Sequence, residues 1–309
     1  MSFIHFAPVQ GHTDAPYRHF HHNSYNSPLT YYTPFIRLEK DGLRSRDIKD
    51  FTSSLNDSSH VVPQIIFRDE TELNTLVKAL ADLGATEINL NMGCPFPLQT
   101  GHGRGAATIA NYKLGEAVAA TVSNNPDIHF SVKMRLGYAD PNEWKILLPF
   151  LNSISLRHIT LHPRVAKQQY GGDVNYECFD EFLKESVNPV FYNGDVKTLE
   201  DIEVIKNRFP EISGIMIARG LLGRPSLADE WECRAELSRE ERLEKMLNFH
   251  TDLLDYYNET LCGESQVVAK IKPFWEYAEN EIGRKAWKAI KKAGNIAKYH
   301  SAVAMIGRD

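Results

Sequence analysis

The stretch EINLNMGCPFPLQTGHGRGAAT, Glu87–Thr108, carries the pattern from which the fold is read. A short apolar run ends in Asn91-Met92-Gly93-Cys94-Pro95, and Gly101, Gly103 and Gly105 follow. This is a β-strand that runs into a glycine-rich loop. Cys94 at the junction has three readings: a reactive thiol, a metal ligand, or a small buried side chain.

Working outward, seven further β-like runs flank it: Phe3–Pro8, Leu29–Thr33, Val61–Ile66, His129–Met134, His158–His162, Pro189–Asn193 and Gly214–Ala218. The eight recur about every 30 residues, the length of a strand-plus-helix unit. Amphipathic segments separate them, such as DETELNTLVKALADLG, which ends at Gly84 as a helix C-cap does. Eight such units predict a (β/α)8 TIM barrel, since an open doubly wound sheet ordinarily uses fewer strands. Pro63 is awkward inside a central strand unless it stands at the strand's start. Beyond Pro225 the β signal stops. The pattern predicts a barrel over 1–228 and a separate all-helical domain over 229–309.

The chain has 309 residues, enough for one large barrel core. Apolar residues at 42% and charged residues at 24% are ordinary for a soluble globular protein. A net charge of −5 gives no overall basic field, so RNA binding requires a local patch. The four cysteines, Cys94, Cys178, Cys233 and Cys262, form no CxxC pair and suggest neither a zinc site nor a disulfide framework. A reducing cytoplasm is expected. No signal peptide and no apolar run of membrane length is seen, so the expectation is a cytoplasmic monomer without a membrane or stable protein partner.

In a barrel of this kind the site lies at the C-terminal strand ends. Polar residues gather there: Pro8-Val9-Gln10, Gln64, Asn91, Lys133, Arg135, His162-Pro163-Arg164, Asn193-Gly194-Asp195 and Ala218-Arg219-Gly220. Polar groups converging from many strands point to a ligand, because unpaired buried polar groups are costly. Glycines and Arg219 after strands seven and eight suit a phosphate. Lys133 needs either a flavin or carboxylate companion, or an ion pair within the barrel. The cluster HFHH, His19–His22, reads as a helix face, since no Cys or carboxylate stands at ligand spacing. From Lys270 to Lys298, eight basic residues face three acidic ones, with Trp275, Tyr277, Trp287 and Tyr299 interleaved. Lys270, Lys272, Lys288 and Lys292 are candidate RNA contacts, against the alternative of a solvated helix face.

Taken together, APVQGHTDAPYR, NLNMGCP, VKMRLG, HPRVAKQQYGG, YNGDV and IARGLLGRP resemble, in order, the tRNA-dihydrouridine synthases. The resemblance spans Ala7 to Pro225, with a looser match at VVAKIKPFW. It implies an FMN-binding barrel and a helical tRNA-binding domain. It further implies reduction of the C5=C6 bond of uridines in tRNA, with NADPH or NADH as electron donor. By position, Pro8, Val9, Gln10, Gln64, Lys133 and His162 would line the flavin pocket. Asn193, Gly194, Asp195, Ala218, Arg219 and Gly220 would hold its phosphate. Hydride would come from reduced FMN and the proton from Cys94, while Asn91, Arg135 and Arg164 would help position the flipped uracil. Three positions depart from the family's pattern. Pro163 and Ala218 stand where smaller residues are usual, and Leu98-Gln99 occupies a stretch that often carries a basic residue. Two competing readings are an FMN-barrel oxidoreductase acting on a small pyrimidine or enone, and a non-catalytic RNA-binding module.

Overall fold

A computed structural model of the chain describes residues 2–25, 27–39 and 42–308. Its barrel strands are β1 (Ile4–Phe6), β2 (Thr30–Tyr32), β3 (His60–Val62 with Gln64–Ile65), β4 (Glu87–Met92), β5 (His129–Gly137), β6 (Ile159–Val165), β7 (Val190–Tyr192) and β8 (Gly214–Ile217). Each pairs in parallel with its neighbours, in the order β3-β2-β1-β8-β7-β6-β5-β4-β3. The first half of β3 pairs with β2 and the second half with β4, so the sheet closes into the eight-stranded barrel that the spacing predicts.

Pro63 lies between the two halves of β3 rather than at the strand's start. It has no N–H to donate, which breaks the ladder for one residue. Its carbonyl still accepts from Asn89 N at 2.9 Å, so the barrel stays closed across the gap.

Local sequence explains the helices around the barrel. Glu70–Asp82 starts at Asp69, whose carboxylate accepts from Glu72 N at 2.9 Å, and it ends before Gly84 at φ +87°. Along the strands, apolar residues such as Ile88, Leu90, Val132 and Met134 are fully buried against these helices. The residues between them point into the barrel. At its floor, Tyr32 Oη lies 2.8 Å from His5 Nδ1 and 3.3 Å from His158 Nε2.

After β8 every described regular element is helical. The 22-residue helix Arg239–Thr260 packs on Ala15–Ser24, with the Phe249 ring 5.1 Å from Tyr17. His21 of the HFHH cluster is sealed in this contact, 2.8 Å from Tyr31 Oη and 3.1 Å from Pro225 O. One apolar core runs through the barrel's outer layer and the helical region. Two of the aromatics interleaved with the basic residues belong to that core. Trp275 and Tyr299 are fully buried, and Trp275 Nε1 donates to Tyr299 Oη at 2.9 Å. Aromatic spacing on a helix reads the same whether that face meets solvent or core. Among the described residues, no helix is long and apolar enough to cross a membrane.

Candidate active site

Strand register builds the site. Gln64 lies opposite Asn89, Asn91 opposite Lys133, Lys133 opposite Thr160, and Arg135 opposite His162. Inward side chains of adjacent strands therefore meet in layers. A one-way hydrogen-bond chain crosses the first layer. Asn91 Nδ2 donates to Gln64 Oε1, Gln64 Nε2 to Asn89 Oδ1, and Asn89 Nδ2 to Ser131 Oγ, each at 2.7 Å. Asn91 Oδ1 accepts from the backbone N–H groups of Gly93 at 3.1 Å and Cys94 at 3.0 Å. Asn91 thus ties the Cys94 turn to β3.

That cavity holds about 530 Å³ at the C-terminal strand ends, a size suited to a cofactor or small ligand. Cys94, Asn91, Gln64, Lys133, Arg135 and His162 line its wall. Pro8, Val9 and Gln10 close one side, and Asn193–Asp195 with Ala218–Gly220 close another. Of the strand-end residues named from sequence, Pro163 and Arg164 are not on it.

The interior is rich in donors. Lys133 Nζ donates to Asn193 Oδ1 at 2.8 Å, and Asn193 Nδ2 is itself spent on Met216 O at 2.7 Å. Burial, with Arg135 adding to it, pushes Lys133 down to about 7. Burial and the surrounding cations Arg135, Lys133, Arg164 and Arg219 hold the His162 imidazole well below its usual range, so it is neutral. Arg164 Nη1 sits 3.2 Å from His162 Nε2. An arginine only donates, so Nε2 accepts and the ring proton is on Nδ1. Burial pushes Arg135 down to about 10, leaving it charged at neutral pH. Cys94 is 9% exposed. Burial pushes its thiol up, against the opposing pull of the Phe96 backbone, Lys133 and Arg135, so the thiol keeps its proton.

The wall after β7 and β8 is tightly built. Asp195 adopts φ +49°, a left-handed conformation that Asp tolerates better than most residues. Its carboxylate pairs with Arg164 and, at 3.2 Å, with Arg219. Burial disfavours the ionised form, but the Arg164 hydrogen bond and the charges of Arg164 and Arg219 prevail and hold the carboxyl below its ordinary value. A Cβ at Gly220 would stand 2.1 Å from Val196 O, so no side chain fits there. Ala218 has φ −109°, so it avoids the left-handed region that favours glycine.

Arg164, expected to position a base, donates to Gly172 O at 2.6 and 3.2 Å and to Asp195, with Nη1 beside His162 Nε2, and so ties two cavity-lining residues to a neighbouring loop. Tyr170, not assigned from sequence, lines the mouth with the Arg219 and Arg135 guanidinium carbons 4.3 and 5.4 Å from its ring centroid. It lies in a loop where no periodicity marks it. A second hollow, of about 510 Å³ on the flank near Asp173 and Arg208, receives none of the predicted site residues.

The sequence signature of the family described as "Dihydrouridine synthase (Dus)" matches residues 5–300. The chain belongs to the dihydrouridine synthase family. A Bacillus subtilis (strain 168) protein described as "Probable tRNA-dihydrouridine synthase 2" is 29% identical over 271 residues, covering 83% of this chain and 79% of its own length. A Treponema pallidum (strain Nichols) protein, "Probable tRNA-dihydrouridine synthase", is 26% identical over 301 residues, covering 92% and 86%. Among solved structures, the old yellow enzyme homologue of Zymomonas mobilis aligns with a TM-score of 0.56 at 10% identity, over 76% of this chain and 90% of that one. The old yellow enzyme of Trypanosoma cruzi aligns with a TM-score of 0.54 at 9% identity, over 76% and 89%. These likenesses show the barrel fold.

In this family member, the helical region reaches the cavity. Tyr277 lines it, and His12 Nε2 meets Glu276 Oε2 at 2.8 Å. The basic residues expected to meet RNA divide into two groups. Lys270 pairs with Asp14, and Lys272 Nζ donates to the carbonyls of Lys291 at 2.8 Å and Ala293 at 3.0 Å. Lys270 thus joins helical region to barrel, and Lys272 closes a helix end. Lys288 and Lys292 are exposed on Arg284–Lys292.

Proposed function

We propose that this dihydrouridine synthase reduces the C5=C6 bond of uridines in tRNA, with FMN as cofactor and NADPH or NADH as electron donor. The observation that carries the reading is Cys94, protonated and facing a single donor-rich cavity at the barrel mouth. FMN fits the residues present. Lys133 is a half-buried amine on the cavity wall whose hydrogen-bond partner is an amide oxygen, and Gly220 leaves its backbone bare beside Arg219. Pro8, Val9, Gln10, Gln64, Lys133 and His162 line the flavin, and Asn193, Gly194, Asp195, Ala218, Arg219 and Gly220 enclose its phosphate. The chemistry a bound flavin supplies, once reduced, is hydride transfer.

The chain's own groups do the rest. Arg135 and the Asn91 amide are donors that suit the carbonyls of a uracil. The Cys94 Sγ holds the proton destined for C5, since a thiol raised by burial remains protonated at neutral pH and can still yield its proton to a carbanion-like carbon. The base has to leave its stack to reach these groups. The proposal assigns 1–228 as the flavin barrel and 229–309 as the RNA-facing helical unit, with Lys288 and Lys292 as phosphate contacts. It places the enzyme in the cytoplasm as a monomer. The test is nucleoside mass spectrometry of tRNA incubated with protein, FMN and NADPH. Dihydrouridine is expected in tRNA, whereas reduction of free pyrimidines or enones alone contradicts the proposal.

A further inference from the structure

The turn after Cys94 carries a surface that this chemistry does not use. Phe96 is 51% exposed and Leu98 69% exposed, and both line the mouth of the cavity. Tyr170, 44% exposed, faces Phe96 with 6.5 Å between ring centroids. This is the stretch where the family resemblance leads one to expect a basic residue. The fold itself holds these side chains in water. Pro95 and Pro97 restrict the backbone on either side of Phe96. Gln99 N and Thr100 N donate to Phe96 O at 2.8 and 3.0 Å, and Gly101 N donates to Pro97 O at 2.8 Å. Beneath the turn, Gln99 is 5% exposed and Arg104 N donates to its carbonyl at 3.1 Å. Large apolar side chains fixed outward around one cavity mark a contact surface rather than an idle loop.

We infer that Phe96 and Leu98 form an apolar wedge for the bases that flank the uridine entering the cavity. The inference rests on the proposed function. Its occupant follows from chemistry on both sides. The cavity presents donors to the carbonyls of one extruded pyrimidine, and extrusion strips that base's neighbours of their stacking partner. Those neighbours expose flat, uncharged faces, which a phenyl ring and a branched alkyl group cover well. The wedge occupies the space that the base vacates, while cations such as Lys288 and Lys292 meet phosphates elsewhere.

The test compares Phe96→Ala/Leu98→Ala with the conservative pair Phe96→Trp/Leu98→Met. The measurements are tRNA affinity across a salt series, KM and kcat for dihydrouridine formation, and sedimentation, with melting temperature as the check on folding. The alanine pair is expected to raise KM for tRNA by about tenfold or more, as loss of base stacking does. Its salt dependence should stay as in the wild type, because no ionic contact is lost. The tryptophan–methionine pair should restore most of the affinity. An alanine pair that matches the wild type in KM and kcat overturns the wedge. So does a changed salt slope, or a wild-type dimer that the alanine pair dissolves, which would make the surface a protein contact. If the wild type forms no dihydrouridine in tRNA, the proposed function fails and the wedge fails with it. If the wild type does and the alanine pair equals it, the wedge alone fails.

Discussion

Arg104 grips Glu72 with a buried two-pronged ion pair, Nη2 to Oε1 at 2.5 Å and Nε to Oε2 at 3.1 Å, behind the turn that carries Cys94. Glu72 also accepts from Arg68 N at 3.1 Å. Gly105, next in sequence, has φ +61°, and a Cβ there would lie 2.6 Å from Cys94 O. The Cys94 turn is therefore held from two sides, by Asn91 on one and by Arg104 with its tight glycine on the other.

Arg104→Gln should cost about 3 kcal/mol, the low end for breaking a buried pair, because Arg68 still partners Glu72. Alkylation of Cys94 should accelerate as the turn loosens, which mass spectrometry can follow. The double variant Glu72→Gln/Arg104→Gln should be more stable than Arg104→Gln alone, since it leaves no carboxylate short of partners. With the single Glu72→Gln variant to complete the cycle, losses of the two singles that simply sum to the loss of the double would show that the pair contributes no coupling.

Lys133 gives a pH signature. Its folded value is about 7 against an ordinary 10.5, so between those values the unfolded chain binds a proton that the native one lacks. Stability of the flavin-free protein should therefore rise with pH from about 7 to 9, by less than the one-proton ceiling of about 1.4 kcal/mol per pH unit, since Lys133 faces the cavity. The buried histidines His21, His158 and His250 are also lowered, but from 6.5, so their window ends below this one. Lys133→Met should remove the rise, as read by denaturant titration at each pH.

Gly220→Ala places a methyl group against Val196 O, where 2.1 Å is available. The loop has to move, and purified protein should carry little flavin by absorbance. Undiminished flavin content would take the phosphate away from this loop.

The basic helix separates two kinds of lysine. Lys288→Glu/Lys292→Glu should weaken tRNA binding and flatten its salt dependence. Lys272→Ala removes bonds to Lys291 O and Ala293 O, and so should lower the melting temperature while leaving the salt slope unchanged. Binding titrations over a salt series distinguish the two.

Much of this was legible in the sequence, and the exceptions share a cause. All eight strands read out as short apolar runs, and their polar C-terminal residues pointed to the cavity because position on a strand end determines which space a side chain faces. The break in β3 was not legible, since Pro63 looks the same at a strand's start as at an interruption within it. Arg164 stands two residues after His162, and nothing local marks its reach to a loop carbonyl at Gly172. Trp275, Tyr299 and Lys272 lie on helical pieces whose inner face is set only by tertiary packing. The Arg104–Glu72 pair joins residues 32 positions apart and leaves no local pattern.

The central claim is that Cys94 supplies the proton that completes uridine reduction in tRNA. Its most direct test is dihydrouridine formation by wild type and Cys94→Ala, each with flavin content verified, on tRNA from cells that lack this protein. The wild type should form dihydrouridine, and the variant should retain FMN but turn over about 10²- to 10⁴-fold more slowly, the usual contribution of a general acid. A Cys94→Ala enzyme with full flavin and undiminished turnover would contradict the account.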